Sequence, residues 1–299
     1  MNWINSLIAS LMPYMPKALV RPFANPYVAG ETADSVIKTV KILNKKGFST
    51  TLDILGEFVN SEDEANQIKD AYSNLIHSIS KENLDSTISV KLTHLGLGLN
   101  PELGEKNICS LAKIGKKNNV GVTIDMENSP YTTKTLDIYN NALDLNPHLG
   151  TVIQAYLFRS LNDIKQMDSP RLNLRICKGI YNESPKIAIQ ERNAINDNYI
   201  KIAEVLLKGD GYACLATHDI SLIERLESLI KTHKIPSHRF EFQVLYGVPM
   251  GDKLEDLKAK GYKIRIYVPF GEAWFEYSIR RLKENPKIIS YVIGNLFKK

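Results

Sequence analysis

Tyr277, Arg280, Arg281 and Glu284 stand near the C-terminal end of the chain at offsets of three, four and seven from the tyrosine. On a helix that spacing gathers all four on one face. Two adjacent guanidinium groups present paired donors in the fork that a carboxylate or phosphate fills. A solvated basic turn near a helix end is the plainer reading of the same residues. Upstream, titratable and amide side chains recur where short apolar runs end: Asp53 and Glu57, Lys91, Asp125 and Glu127, Gln154, Arg175 and Lys178, Thr217 with His218 and Asp219, Gln243, and Tyr267. Singly, Lys91 would snorkel to a rim, Asp125 would cap a helix and His218 would be a satisfied strand-end histidine. Taken together they point to a site, because buried charge is expensive unless it is paired or used.

These groups permit several chemistries. Lys91 or Lys178 would serve as a Schiff-base nucleophile in a lyase or aldolase, with Asp125 as base. Asp125, Glu127 and His218 would be the start of a metal-dependent hydrolase, although a second well-placed histidine is lacking. A non-catalytic scaffold lying on a membrane surface is a reading of another class. It rests on the first thirty residues, which contain no acid, and on Trp3, Ile4, Leu7, Ile8 and Leu11 at helical spacing, with Pro13 and Pro16 ending that helix. A stripe that docks on the protein's own body explains the same pattern.

The elements that must carry these residues alternate. Strands are expected at 49–55, 87–92, 121–125, 151–156, 172–178, 213–217, 239–245 and 263–268, with helices over 62–80, 106–117, 136–145, 187–207, 221–232 and 253–260. A helix over 33–44 precedes the first strand, and one over 274–282 follows the last. Eight strand–helix units predict a closed α/β barrel of the (β/α)8 type with extra N-terminal helices, and function then gathers at the C-terminal ends of the strands. Residues 1–46 form an N-terminal helical segment packing on a barrel of residues 47–299. The rival, a doubly wound open sheet, wants a glycine-rich first turn. Gly96-Leu97-Gly98 is followed by Pro101 where a third glycine is needed, so it reads as an ordinary loop.

Composition narrows the class. A formal net charge of +5 with both signs interspersed is no nucleic-acid footprint. Cys109, Cys177 and Cys214 are odd in number and widely spaced, which disfavours a disulfide framework and a CxxC zinc site. No apolar run is long enough to cross a bilayer, and no cation precedes Lys17 to make a secretory signal. The expected location is the cytoplasm, with the acid-free N-terminus as an alternative peripheral contact on the inner face of the cytoplasmic membrane.

Read in order, the strand ends resemble the proline dehydrogenase family. The likeness runs from about Tyr27 to Pro286 through Leu52-Asp53-Ile54-Leu55-Gly56-Glu57, Ser89-Val90-Lys91-Leu92-Thr93, Ile124-Asp125-Met126-Glu127 and Gln154-Ala155-Tyr156-Leu157. It continues through Arg175, Lys178, Gly179 and Tyr181, then Ala216-Thr217-His218-Asp219, Phe242-Gln243-Val244-Leu245-Tyr246-Gly247, and Tyr267-Val268-Pro269-Phe270-Gly271 with Trp274, Tyr277, Arg280 and Arg281. The resemblance implies a monofunctional bacterial flavoenzyme with noncovalent FAD. Such an enzyme oxidises L-proline to 1-pyrroline-5-carboxylate by hydride transfer and passes the electrons to a quinone. It implies that Lys91, Arg280 and Arg281 hold the carboxylate, and that Tyr181, Leu245, Tyr267 and Tyr277 wall the ring. It also implies that Glu57 and Asp125 gate the pocket, and that Tyr267 favours proline over hydroxyproline. Gln154, Arg175, Lys178, Gly179, Thr217, His218, Asp219, Gln243, Arg281 and Glu284 would contact the flavin. The cations Arg175 and Lys178 would there favour its anionic reduced form. Ile180 departs from the small alanine usual in the family and bears on substrate preference. With no second catalytic domain expected at this length, the product would pass to a separate 1-pyrroline-5-carboxylate dehydrogenase.

Overall fold

The computed structural model describes residues 15–167 and 171–284, the side chains of Leu19 and of residues 280–284 excepted. The expected helix over Trp3–Leu11 therefore lies outside the described residues. Eight parallel strands close into a barrel in sequence order: β1 Ser49–Ile54, β2 Ser86–Val90, β3 Val122–Ile124, β4 Leu149–Gln154, β5 Asn173–Cys177, β6 Tyr212–Ala216, β7 Phe240–Leu245 and β8 Ile264–Phe270. β8 returns to β1 in a continuous register from Arg265 opposite Ser49 to Phe270 opposite Ile54. All eight expected strands are present.

Helices cover the barrel. They are α1 Lys17–Ala24, α2 Ala33–Lys45, α3 Glu62–Lys81, α4 Pro101–Asn118, α5 Ser129–Ala142, α6 Ser160–Gln166, α7 Arg192–Lys208, α8 Ile220–Thr232, α9 Lys253–Ala259 and α10 Trp274–Glu284. Caps explain several starts. The Ser61 side chain accepts from the Glu64 N–H, Asp219 from Leu222 and Glu191 from Asn193 and Ala194, each satisfying a donor that the first turn leaves open.

Differences from the expected bounds have local causes. α4 begins at Pro101 rather than residue 106, because Asn100 caps it and Pro101 suits the first helical position. α7 begins at Arg192 rather than residue 187. The stretch before it is tied to the loop after β4, with Leu157 bridging Ala188 and the Ile189 N–H donating to Tyr156 O. α1 and α6 escaped the sequence reading, being short and, for α1, interrupted by Pro22.

Alternation along the strands divides inside from outside. On β7, Phe240, Phe242 and Val244 face the helices, while Glu241 and Gln243 enter the barrel; on β8, Ile264, Ile266 and Val268 alternate with Arg265 and Tyr267 in the same way. The interior is thus polar where many such barrels stack branched aliphatic residues. Its floor is an ion pair. Arg265 Nε donates to Glu241 Oε1 at 2.6 Å and Nη2 to Oε2 at 3.1 Å, while Nη1 donates to Thr50 O at 2.6 Å. Burial alone would raise the Glu241 pKa. The charge and hydrogen bonds of Arg265, with Lys263 and Gln243 behind them, outweigh that and hold it at about 2.

A carboxylate held below its ordinary value contributes stability that is fully present above about pH 4.5 and lost as pH falls toward about 2. Its size is about 3 kcal/mol. Urea unfolding followed between about pH 5 and about pH 3 should show this acid-side loss in the wild type and a shallower one in Glu241→Gln. Equal slopes would mean that Glu241 does not titrate with folding.

Candidate active site

A cavity of about 720 Å³ opens at the C-terminal ends of the strands, within the range of small-molecule and cofactor sites. It is built upward from the barrel interior. β1 carries Asp53, and Lys91 follows β2. Lys91 Nζ sits between the two Asp53 oxygens at 3.1 and 3.0 Å. Burial, the largest influence on this lysine, favours its neutral form. The combined charges of Asp53, Asp125 and Glu127 prevail and keep its pKa above the ordinary value. Tyr72 on α3 fixes the other side of Asp53, donating to Oδ1 at 3.3 Å and accepting the Ile54 N–H at 3.0 Å.

A second cluster centres on Arg175 of β5. Its Nη1 donates to Asp125 Oδ1 at 2.5 Å and its Nε to Gln243 Oε1 at 2.7 Å. Ser89 donates to the same Asp125 oxygen at 2.7 Å. Tyr267 donates to Asp125 Oδ2 at 2.8 Å, and its ring lies 5.1 Å from the Arg175 guanidinium carbon. Burial and then the Asp125 charge push the Tyr267 pKa well above the ordinary value, so its hydroxyl stays protonated and keeps donating.

The opposite wall comes from β5, β6 and the loops after them. Lys178 Nζ donates to Asp219 Oδ2 at 2.7 Å. Burial opposes ionisation of Asp219, but hydrogen bonds from Lys178, Ser221 and Asn196 hold its pKa well below the usual carboxylate range. His218 Nε2 accepts the Leu245 N–H at 2.8 Å, which leaves the proton of the neutral ring on Nδ1. Gln154 Nε2 donates to Glu127 O at 2.9 Å. Gly179 has φ +107°, and a Cβ there would strike the Tyr156 ring, so only glycine lets the chain pass.

Of the residues expected from sequence, Lys91, Asp125, Gln154, Arg175, Lys178, Gly179, Tyr181, Thr217, His218, Asp219, Gln243, Leu245, Tyr267 and Tyr277 all line this cavity, as does Ile180. Glu57 lies on the loop after β1 and is not among the cavity-lining residues. Arg280, Arg281 and Glu284 fall on α10 beyond Tyr277, and their side chains lie outside the described residues. Asp53, expected only as one of the strand-end groups, also lines the cavity, as do Tyr27, Arg192 and Cys177, for which no site role is expected from sequence. Strand-end position was a signal for Asp53. Tyr27 had none, since it is delivered by the segment between α1 and α2. There the Ala29 N–H donates to Pro269 O at 2.9 Å and the Gly271 N–H to Gly30 O at 3.0 Å. Gly247, at φ +77°, leaves room for the carbonyl of Pro26 to lie against it. Burial raises the Cys177 thiol to about 11, which keeps it protonated and unreactive. Among the described residues no three His, Cys, Asp or Glu side chains gather to hold a metal ion. Arg175, Lys178 and Arg192 instead give the cavity cationic walls, a donor set that fits an anionic redox cofactor such as FAD.

Eight parallel strands with ion-paired side chains ringing a cavity at their C-terminal ends define an enzyme of the (β/α)8-barrel class. The family model for proline dehydrogenase matches residues 36–292. Proline dehydrogenase 1 of Bacillus subtilis subsp. natto is 40% identical over 276 residues, covering 92% of this chain and 91% of that one. Proline dehydrogenase of Deinococcus radiodurans is 32% identical over 280 residues, covering 92% and 90%. A crystal structure of proline utilization A from Bdellovibrio bacteriovorus, inactivated by N-propargylglycine, shares the fold with a TM-score of 0.83 at 24% identity, covering 95% of this chain and 34% of that larger one. The chain belongs to the proline dehydrogenase family.

The Gly179 passage generates a test. Gly179→Ala should destabilise the protein by about 2 kcal/mol or more through overpacking and left-handed backbone strain. Tyr156→Leu in the same chain should recover part of that loss, so urea unfolding of the double-mutant cycle should be non-additive. Strict additivity would mean that the two side chains do not compete for one space.

Proposed function

We propose that this protein oxidises L-proline to 1-pyrroline-5-carboxylate with noncovalently bound FAD, that the electrons leave to a quinone, and that the product leaves to a separate 1-pyrroline-5-carboxylate dehydrogenase. The observation that carries the reading is the pairing of Lys91 with Asp53 and of Arg175 with Asp125 and Tyr267 on one cavity wall. Bound FAD supplies the acceptor for the hydride on the ring carbon beside the proline nitrogen. The protein's own task is to bind, orient and shield.

In this reading Lys91 stays cationic and, with Arg280 and Arg281, takes the substrate carboxylate. Guanidinium forks define the plane of that carboxylate, and the lysine adds a point charge. Tyr267, Tyr277, Tyr181 and Leu245 enclose the apolar ring. Asp125 answers the charge of Arg175 and, with Glu57, gates the mouth. Gln154, Arg175, Lys178, Gly179, Thr217, His218, Asp219, Gln243, Arg281 and Glu284 form the cofactor side, where Arg175 and Lys178 favour negative charge on the reduced ring. Residues 1–46 are read as a segment packed on the barrel of residues 47–299.

The same geometry weakens the rival chemistries. A Schiff-base lysine must be neutral to attack, whereas Lys91 is held protonated by Asp53 and Lys178 donates to Asp219. The three groups of the metal reading point apart: Asp125 to Arg175, Glu127 to Thr93 and His218 to the Leu245 N–H. No described helix is long and apolar enough to cross a membrane. A cytoplasmic location, with a peripheral contact at the inner face of the membrane as its alternative, completes the proposal.

An absorbance spectrum followed by anaerobic L-proline is the deciding experiment. Flavin bands that bleach with proline are expected. Bleaching only with another cyclic amino acid would relocate specificity to Ile180, and a protein that cannot be loaded with FAD would defeat the reading. Arg280→Met and Arg281→Met should each raise the KM for proline at least about tenfold, or ~1.4 kcal/mol, while weakening FAD retention far less. Lys178→Ala should lower FAD content or shift its potential. Saturation of both arginine variants at wild-type proline concentrations would remove them from the carboxylate site.

A further inference from the structure

Gln243 lines the cavity, and Glu241, two residues before it on β7, stands one layer beneath and points into the same interior. Both are almost wholly buried: Glu241 is 1% and Gln243 4% exposed. Glu241 Oε1 accepts from Arg265 Nε and from Gln243 Nε2, both at 2.6 Å, and Oε2 accepts from Arg265 Nη2 and from the Tyr212 hydroxyl, both at 3.1 Å. An ionised carboxylate only accepts, so Gln243 must turn its NH2 group downward. A planar amide that donates downward presents its oxygen upward, and that oxygen accepts from Arg175 Nε at 2.7 Å. The reversed amide would set oxygen against carboxylate and NH2 against guanidinium, losing both hydrogen bonds where nothing replaces them. Arg175, aimed in this way, reaches Asp125 at 2.5 Å and lies over the Tyr267 ring. Glu241 itself does not line the cavity.

We propose that Glu241 is a positioning residue for proline oxidation: its carboxylate, held by Arg265, fixes which way the Gln243 amide faces and so aims Arg175 at Asp125 and Tyr267. The inference rests on the reading of the cavity as the proline site. Its content is an orientation, and that makes it separable from a merely structural role for the floor.

The test replaces the floor pair by apolar residues, Glu241→Leu with Arg265→Leu, so that no lone charge is left buried. This variant should keep its flavin and melt close to the wild type. Its Gln243 amide is free to turn, so kcat/KM for L-proline should fall at least about tenfold. The Kd of cyclopentanecarboxylate, which has no ring nitrogen and cannot turn over, should rise in parallel by equilibrium titration. Adding Gln243→Glu to this variant should restore most of both quantities, because a carboxylate offers Arg175 an oxygen whichever way it faces. Placed in the otherwise wild-type chain, the same Gln243→Glu change should impair both, since it sets two carboxylates against each other. Wild-type kcat/KM and Kd in the floor variant would overturn the proposal, and so would a loss that Gln243→Glu does not recover. Should the apolar pair fail to fold, Glu241→Gln takes its place. An amide donates as well as accepts, so the constraint on Gln243 is relaxed; a fall in kcat/KM recovered by Gln243→Glu is expected, and no fall, or a fall without recovery, overturns. A wild-type protein that fails to oxidise proline defeats the functional reading itself; a wild type that oxidises it beside unresponsive variants defeats this inference alone.

Discussion

The interior of a closed barrel is a poor place for charge, and this one holds, among the described residues, the cations Lys91, Arg175 and Arg265. Each is answered at hydrogen-bonding distance by a carboxylate, Asp53, Asp125 and Glu241 respectively. That requirement organises the rest. Removing one partner would strand the other in a medium that solvates it badly, so the pairs constrain one another's geometry more than apolar packing would. Gln243 joins the floor pair to the Arg175 cluster, and Ser89 joins β2 to it, so side chains from β2, β5, β7 and β8, with Asp125 beside β3, form one connected network. The polar interior also explains why the strands tolerate only strict alternation. A one-residue slip of β7 would move Glu241 and Gln243 out among the helices and bring Phe240 and Phe242 into the ionic layer.

The network gives the cavity its chemical character. Pairing leaves Lys91 and Arg175 charged but held, so their positive potential faces the cavity from fixed positions rather than from mobile side chains. Fixed charge of this kind needs no reorganisation when a ligand arrives, which is the physical basis of electrostatic preorganisation. Asp219 plays the corresponding part for Lys178 on the far wall while also capping α8, which ties the orientation of that lysine to the start of a helix. One residue thus serves as both cap and ion-pair partner, and α8 is thereby locked to a side chain at the barrel mouth.

How much of this was legible in sequence depended on how local the cause was. The strands were readable because alternation on β7 and β8 and the apolar runs elsewhere are properties of a few neighbouring residues. The end positions of those strands then identified most of the cavity, since a (β/α)8 topology brings such ends to one face. Lys91 was readable, but its partner Asp53 was not assigned to it, because the pairing depends on the register of β1 against β2 rather than on any local spacing. The Gln243 orientation was invisible for a related reason: it is set by Glu241, whose carboxylate is held by Arg265 on the neighbouring strand. α6 was missed because seven residues give too little periodicity to stand out, and α7 was extended too far because the apolar run 187–189 adjoins the helix in sequence while its backbone pairs with the loop after β4.

Tyr27 marks the limit of reading a site from strand ends alone. The segment that carries it lies across the ends of β7 and β8, held by backbone hydrogen bonds to Pro269 and Gly271 and seated on the bare Cα of Gly247. It belongs to a small apolar cluster with Val20, Val28, Leu55, Trp274 and Tyr277 that is separate from the main core. Arg21 over Trp274 and Lys17 over Phe275 extend the same contact between α1 and α10. The helix that carries Tyr277 is therefore gripped by the N-terminal segment as well as by the barrel. Among the described residues, no side chain of α1 or α10 belongs to the main core, so each helix depends on the other for burial. The consequence is that the cavity's upper wall is one cooperative unit drawn from both ends of the described chain. A change in that cluster would reach the site by moving Tyr27 and Tyr277 together, while the ion-paired interior beneath them stays in place.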